Sequence, residues 1–251
     1  MKTEHPSPRH MAQLRQLWQQ AFGDTDDFLD SFYSTAYAPD RCLCILLEDR
    51  PAAALYWLDC TLQEHKLAYI YAVVTDPAYR GRGLCRALME STHDLLRCRG
   101  YAGAVLVPQQ EGLRAMYAGM GYRNCGGLQE ITCAAGEDPI AVQAIGPAEF
   151  AALRRTLLPP HSVLQEGHSL DFLARQLQFY RGPGFLLAAF AENGILQGME
   201  LLGDPSSAPA ITAALGCREG RFRIPGDRPF AMFHPLAEGC NAPDYFGFAF
   251  D

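Results

Sequence analysis

The chain has 251 residues, 49% hydrophobic and 20% charged, with a formal net charge of −7 and a pI near 5.5. This composition excludes a disordered tail, and the acidic balance argues against a nucleic-acid binder, which would carry a basic face. The length exceeds the usual single-domain mode, so one large or two smaller units are expected.

Lys2 to His10 is polar and interrupted by Pro6 and Pro8, so no secretory segment follows Met1, and Phe185 to Ala191, among the longest apolar runs, is only strand-sized. A cytoplasmic protein with no membrane contact is expected. The nine cysteines are odd in number and contain no Cys-x-x-Cys pair, which suits small buried hydrophobes in a reducing compartment. His161 and His168 alone suggest a metal pair and lack a cysteine partner, so no metal site is expected.

In chain order, Ser7-Pro8 reads as N-cap and first helical position, with Met11, Leu14, Leu17, Trp18 and Phe22 at helical spacing up to Gly23. Asp24 to Asp27 caps a second helix carrying Phe28, Leu29, Phe32 and Tyr33 on one face and running to about Tyr37. Strands are predicted at Cys42 to Glu48 and Ala52 to Leu58 around a turn at Asp49-Arg50-Pro51, then from Cys60 toward Glu64, then at Leu67 to Thr75, as an antiparallel meander. A helix from Leu84 to Gly100 should bury Leu84, Leu88, Ser91 and Leu95 and expose Glu90, Asp94 and Arg97. Ala102 to Val107 is then a strand parallel to the Leu67 strand, since a helical crossover joins them. Glu111 to Ala118 is a short helix and Leu128 to Cys133 a strand.

The most informative stretch is Leu67 to Gly83. An apolar strand stops at Asp76-Pro77, turns through Arg80-Gly81-Arg82-Gly83 and enters the helix at Leu84. Helix N-termini present unbonded N–H groups and partial positive charge, and guanidinium groups pair well with phosphate oxygens. Gly81 and Gly83 let the backbone approach a ligand, with Arg80, Arg82 and Arg86 around it.

The run Arg80-Gly81-Arg82-Gly83-Leu84-Cys85 resembles the acyl-CoA pyrophosphate loop of the GNAT acetyltransferase superfamily, with Cys85 in place of the usual last residue. Met116-Tyr117-Ala118-Gly119-Met120-Gly121-Tyr122 is similar to its Tyr-x-x-x-Gly-Phe/Tyr signature. The resemblance implies an α/β (α+β) GNAT fold, a mixed central sheet with flanking helices, and an acetyl-CoA-dependent N-acetyltransferase that moves an acetyl group directly to a primary amine. The first two helices would border the acceptor pocket. The donor would be held by Val73, Val74 and Thr75 at a strand bulge and by Arg80, Gly81, Arg82, Gly83, Leu84, Cys85 and Arg86. Tyr117 would be the general acid toward the leaving thiolate, and a phenol with a pKa of about 10 stays protonated for that task. A non-catalytic acyl-CoA-binding regulatory module is the alternative from another class.

Ala134 to Pro139 reads as a linker, dividing a catalytic unit at 1–134 from a smaller unit at 139–251. The latter lacks the loop but repeats the order of elements: Phe150 to Arg154 matches Met11 to Arg15, Asp171-Phe172-Leu173 matches Asp27-Phe28-Leu29, and a hairpin turns at Glu192-Asn193-Gly194. A degenerate GNAT-like unit and an unrelated accessory domain both fit that order. The Thr-Asp-Pro-Ala-Tyr-Arg approach to the loop and the Gly-Leu-Arg-Ala-Met-Tyr segment are also similar to enhanced-intracellular-survival type acetyltransferases, in which the terminal carboxylate serves as base. By that resemblance the strand-like Tyr245 to Asp251 would bring Asp251 to Tyr117; an ordinary edge strand is the other reading. Exposed sheet edges offer a route to a homo-oligomer.

Overall fold

The computed structural model describes residues 2–249. Strand β1 (Thr3–Glu4) precedes a 3-10 turn at Pro8–His10, capped by Ser7, which runs into α1 (Met11–Phe22). Gly23 ends that helix in the left-handed region, and the Thr25 hydroxyl accepts from the Phe28 N–H to start α2 (Asp26–Thr35). Then come β2 (Cys42–Leu47), β3 (Arg50–Leu62), β4 (His65–Thr75), α3 (Leu84–Cys98), β5 (Gly103–Leu106), α4 (Glu111–Ala118) and β6 (Arg123–Ala134). The rest of the chain supplies β7 (Gln143–Ile145), α5 (Pro147–Leu157), β8 (Val163–Leu164), α6 (His168–Gln176), β9 (Gln178–Gly182), β10 (Phe185–Glu192), β11 (Ile195–Gly203), α7 (Ala208–Ala214), β12 (Glu219–Pro225) and β13 (Arg228–Pro235). No helix among the described residues is long and apolar enough to cross a membrane.

Several boundaries depart from the sequence reading. The first hairpin turns at Glu48-Asp49, both left-handed, one residue earlier than predicted, and Arg50 and Pro51 already belong to β3. The separate strand at Cys60 to Glu64 does not exist, because β3 runs through to Leu62. Asp59 does not interrupt it: the carboxylate accepts from the Tyr101 hydroxyl at 2.5 Å and faces Arg41 at 3.4 Å. In α3 the buried face is Leu84, Leu88, Met89, Thr92, His93 and Leu96, with Ser91 and Leu95 only half-buried, so the predicted stripe is rotated. The polar Thr92 is tolerated there because its hydroxyl donates to the Leu88 carbonyl at 2.8 Å. The expected strand at Tyr245 to Asp251 is instead a buried irregular segment over its described part, with one parallel bridge, Ser162 to Tyr245.

The main sheet runs β1-β2-β3-β4-β5-β13-β6-β12-β11-β10-β9-β7, with β8 paired onto β3. Its order is palindromic in role. β4 and β5 are parallel, with α3 in the connection between them; β11 and β12 are parallel, with α7 in theirs. β6 follows the first parallel pair but lies against β12, while β13 follows the second and lies between β5 and β6. Each half therefore gives its last strand to the other, and β6 and β13 pair in the middle. Both halves also bulge at the same place: Ala72 and Val73 oppose the single Leu55, and Met199 is the extra residue where Ala188 pairs with Glu200 and Ala189 with Gly198.

A repeated turn follows. Asp76 caps the 3-10 turn Pro77–Tyr79 by accepting from the Ala78 N–H, and Asp204 caps Pro205–Ser207 by accepting from the Ser206 N–H. In the first half four more residues, Arg80 to Gly83, separate turn from helix; in the second α7 begins at once. The second half thus lacks the insertion in which an anion could be cradled.

The C-terminal segment locks the halves together. Gly126 and Gly127 N–H groups donate to the Pro243 and Asp244 carbonyls at 3.1 and 2.7 Å, and Tyr245, Phe246, Phe248 and Ala249 are all buried. Beneath them Arg154 pairs with Glu200 through two hydrogen bonds of 2.6 and 2.9 Å, and both residues are at most 2% exposed. The Tyr245 hydroxyl donates to Glu200 at 3.1 Å, and the Arg154 guanidinium lies 5.1 Å from the Phe248 ring centre. Burying both charges is costly, so breaking the pair is expensive while replacing it by apolar groups need not be. Glu200→Leu alone should cost about 3–5 kcal/mol in urea unfolding, and Arg154→Met with Glu200→Leu should recover most of it; equal losses in the single and double variants would contradict this reading.

A second polar pair gives a pH signature. The His93 and His234 rings stack at 4.3 Å, and His93 Nε2 meets the Tyr122 hydroxyl at 2.9 Å. Burial, and then the neighbouring His234 and Arg97, lowers the His93 pKa from 6.5 to about 3. The folded value lies below the unfolded one, so stability is retained above about pH 6.5 and lost as the pH falls from there toward 3. Each such proton steepens the slope by about 1.4 kcal/mol per pH unit, and His93→Gln should flatten the acid limb of a Tm-against-pH curve.

Candidate functional site

Parallel pairing between β4 and β5 stops at Tyr69 and Val105, although β4 continues to Thr75. Beyond that point the strands part, and the bulge at Ala72-Val73 bends β4 away; Ala72 has φ +48°. The result is a cleft of about 270 Å³ whose floor is Ile70, Val73 and Leu106, with Tyr117 of α4 on one wall. Trp18, Phe22 and Phe28 from α1 and α2 close the opposite side.

The loop at the end of β4 is held open by its own backbone. Gly81 and Gly83 have φ of +74° and +77°, and apart from chain neighbours no protein atom lies within 4 Å of where a Cβ at either would sit. Besides permitting close approach, the two glycines supply a left-handed backbone that other residues rarely adopt. Among the described residues, no acceptor meets the backbone N–H groups of Gly81 through Arg86. They are the orphan donors of α3 and its lead-in.

The three arginines are anchored by protein carbonyls. Arg80 Nε donates to Thr75 O at 3.2 Å, and Arg82 donates to Ala78 O at 3.4 Å with its guanidinium 5.2 Å from the Tyr79 ring centre. Arg86 Nη1 donates to Gly119 O at 3.0 Å, tying the start of α3 to the end of α4. Each guanidinium keeps further N–H groups for an anion, which suits it to a doubly charged phosphate ester.

Tyr117 is 6% exposed, and burial, then the nearby Cys85, pushes its pKa above the ordinary phenol value. It is a proton carrier at any physiological pH. Gly121 in the same motif has φ +89°, and a Cβ there would fall 2.9 Å from the His234 ring. The thiol of Cys85 is also raised by burial, which disfavours its thiolate. Val74 and Thr75 pair with Ala54 and Ala53, so of the three residues named at the strand end only Val73 lies at the bulge and lines the cleft. Asp251 lies outside the described residues.

Sequence reasoning did not single out Asp24 as a site residue. It was read as part of a helix cap, but its Oδ2 accepts from Trp18 Nε1 at 2.7 Å and it lines the cleft. Trp18 stands 4.8 Å from Phe32 and 4.9 Å from Tyr56 between ring centres, so the indole that orients this carboxylate is fixed in the core. The adjacent Thr25 supplies the cap instead. No sequence signal links Trp18 to Asp24, since their contact follows from the helix C-terminus folding back over its last turns.

Residues 4–125 match the family model described as an acetyltransferase (GNAT) domain. None of the curated proteins compared by sequence matches the chain. Among solved structures, a GCN5-related N-acetyltransferase from Kribbella flavida superposes with a TM-score of 0.70 at 17% identity, over 94% of this chain and 72% of that one. Eis1 from Mycobacterium abscessus gives 0.67 at 12%, over 94% and 74%. A tandem GNAT protein from the clavulanic acid biosynthesis pathway gives 0.58 at 12%, over 95% and 100%. At these identities the likeness is one of fold, and it spans both halves. Residues 4–125 are thus similar to a GNAT acetyltransferase domain, on a fold shared with GNAT N-acetyltransferases.

Proposed function

We propose that the protein moves an acetyl group from acetyl-CoA to a primary amine by direct attack, with residues 1–134 as the catalytic unit and 139–251 as a second GNAT-like unit without a donor site. The observation that carries this reading is the row of unbonded amides from Gly81 to Arg86 beside a cleft walled by Tyr117. Those amides, with Arg80 and Arg82, take the diphosphate, and the pantetheine arm follows the gap between β4 and β5. The amine nitrogen bonds to the thioester carbon, and the negative oxygen that forms is held by an N–H at the Val73 bulge. As the C–S bond breaks, Tyr117 gives its proton to the sulfur, and the surplus proton on nitrogen leaves to a base.

For that base we propose the terminal carboxylate of Asp251. Support comes from the described residues before it: Phe246 packs 5.1 Å from the Tyr69 ring centre, and Ala249 belongs to the same apolar cluster as Tyr69 and Tyr71, which line the cleft. An acyl-cysteine route is disfavoured by the raised thiol of Cys85.

Acetyl-CoA at 100 times its dissociation constant should stabilise the fold by about 2.7 kcal/mol, read as a rise in Tm; no shift at millimolar donor would remove the proposal. Tyr117→Phe should lower kcat by about 10²- to 10⁴-fold and leave donor affinity within a factor of two or so; an unchanged kcat would take the proton-donor role from this residue.

A further inference from the structure

The described lining of the cleft carries one charged side chain, Asp24. The same lining includes Trp18, Phe22, Phe28, Tyr69 and Tyr71, so the described acceptor side is aromatic with a carboxylate among the rings. Trp18 Nε1 holds Asp24 Oδ2 at 2.7 Å, and no other side chain or backbone group among the described residues donates to this carboxylate. Its other oxygen is available to a ligand cation. Asp24 and Phe28 also line an adjoining outer groove that adds Asp27, Glu192 and Arg175, giving the approach a net negative character that draws cations inward.

We propose that the acceptor is a small monoamine with a flat apolar body, received as its ammonium form at Asp24 and enclosed by the surrounding rings. The inference rests on the acetyl-transfer reading above and adds the substrate class. A polyamine or an aminoglycoside would lay several strongly hydrated groups along these apolar rings, where stripping their water is costly. Aromatic faces stabilise both a cation and a flat hydrocarbon body, so the same walls that reject a polycation favour an arylalkylamine. The volume of about 270 Å³, shared with the donor arm, also suits a small acceptor.

Asp24→Asn is the informative variant, because its amide oxygen still accepts from the Trp18 indole while the charge is gone. Free-thiol release with acetyl-CoA should be measured for phenethylamine and tryptamine, for 1,4-diaminobutane and spermine, and for kanamycin. The aryl monoamines should give kcat/KM at least tenfold above the polycations. Asp24→Asn should raise the monoamine KM at least tenfold with kcat changed less than threefold and the acetyl-CoA shift in Tm unaltered. Phe28→Ala should narrow the preference for phenethylamine over ethylamine. Higher kcat/KM with spermine or kanamycin, an unchanged KM in Asp24→Asn, or no turnover of any monoamine while acetyl-CoA still raises Tm would each overturn the inference and leave the donor site standing. Loss of the Tm shift in the unaltered protein would instead remove the acetyl-transfer reading beneath it.

Discussion

Two parallel strands that pair for three residues and then separate set the conditions for the rest of this molecule. Beyond Tyr69 and Val105 the β4 backbone can no longer find partners on β5, and the bulge at Ala72-Val73 turns it aside. A sheet interior does not normally tolerate such a gap, because buried N–H and C=O groups must be bonded. Here the gap persists as a cleft walled by aromatic residues from α1, α2 and α4. The left-handed glycines that follow it lead into the first amides of α3, which meet no acceptor among the described residues.

The second half repeats the parting strands and the Asp-Pro turn but not the site. α7 starts directly after its 3-10 turn, and the region beside Glu200 is filled by the chain's own Tyr245 and Phe248. The exchange of β6 and β13 makes the sheet continuous, so the halves cannot separate without breaking ladders on both sides. The buried Arg154–Glu200 pair adds a directional element. It anchors the segment whose next aromatic residue, Phe246, packs against Tyr69 at the cleft.

Charge is distributed with the same economy. The chain carries −7 overall, yet Arg80, Arg82 and Arg86 gather with the unbonded amides of the loop after β4, while the cleft has Asp24 and an acidic approach. Under the proposed function an anionic donor and a cationic acceptor would each meet the opposite charge at their own end of the site. Net charge describes neither end, because each is set by a few fixed groups at close range.

Much of this was legible in the chain itself wherever the governing physics is local. Pro8, Gly23, Thr25 and the Asp76-Pro77 turn mark element ends through backbone preferences, and the glycine-arginine loop marks the bend into the N-terminus of α3 because left-handed glycine acts within a few residues. The periodicity of α3 located the helix but placed its buried face a step off, since Thr92 and His93 are inside only because Leu88 O and the Tyr122 hydroxyl meet them there. The fusion of two predicted strands into β3, the exchange of β6 and β13, the Trp18–Asp24 bond and the Arg154–Glu200 pair were decided by tertiary structure. Each joins groups whose pairing depends on which surfaces meet after collapse, and neither hydrophobic period nor turn chemistry carries that information.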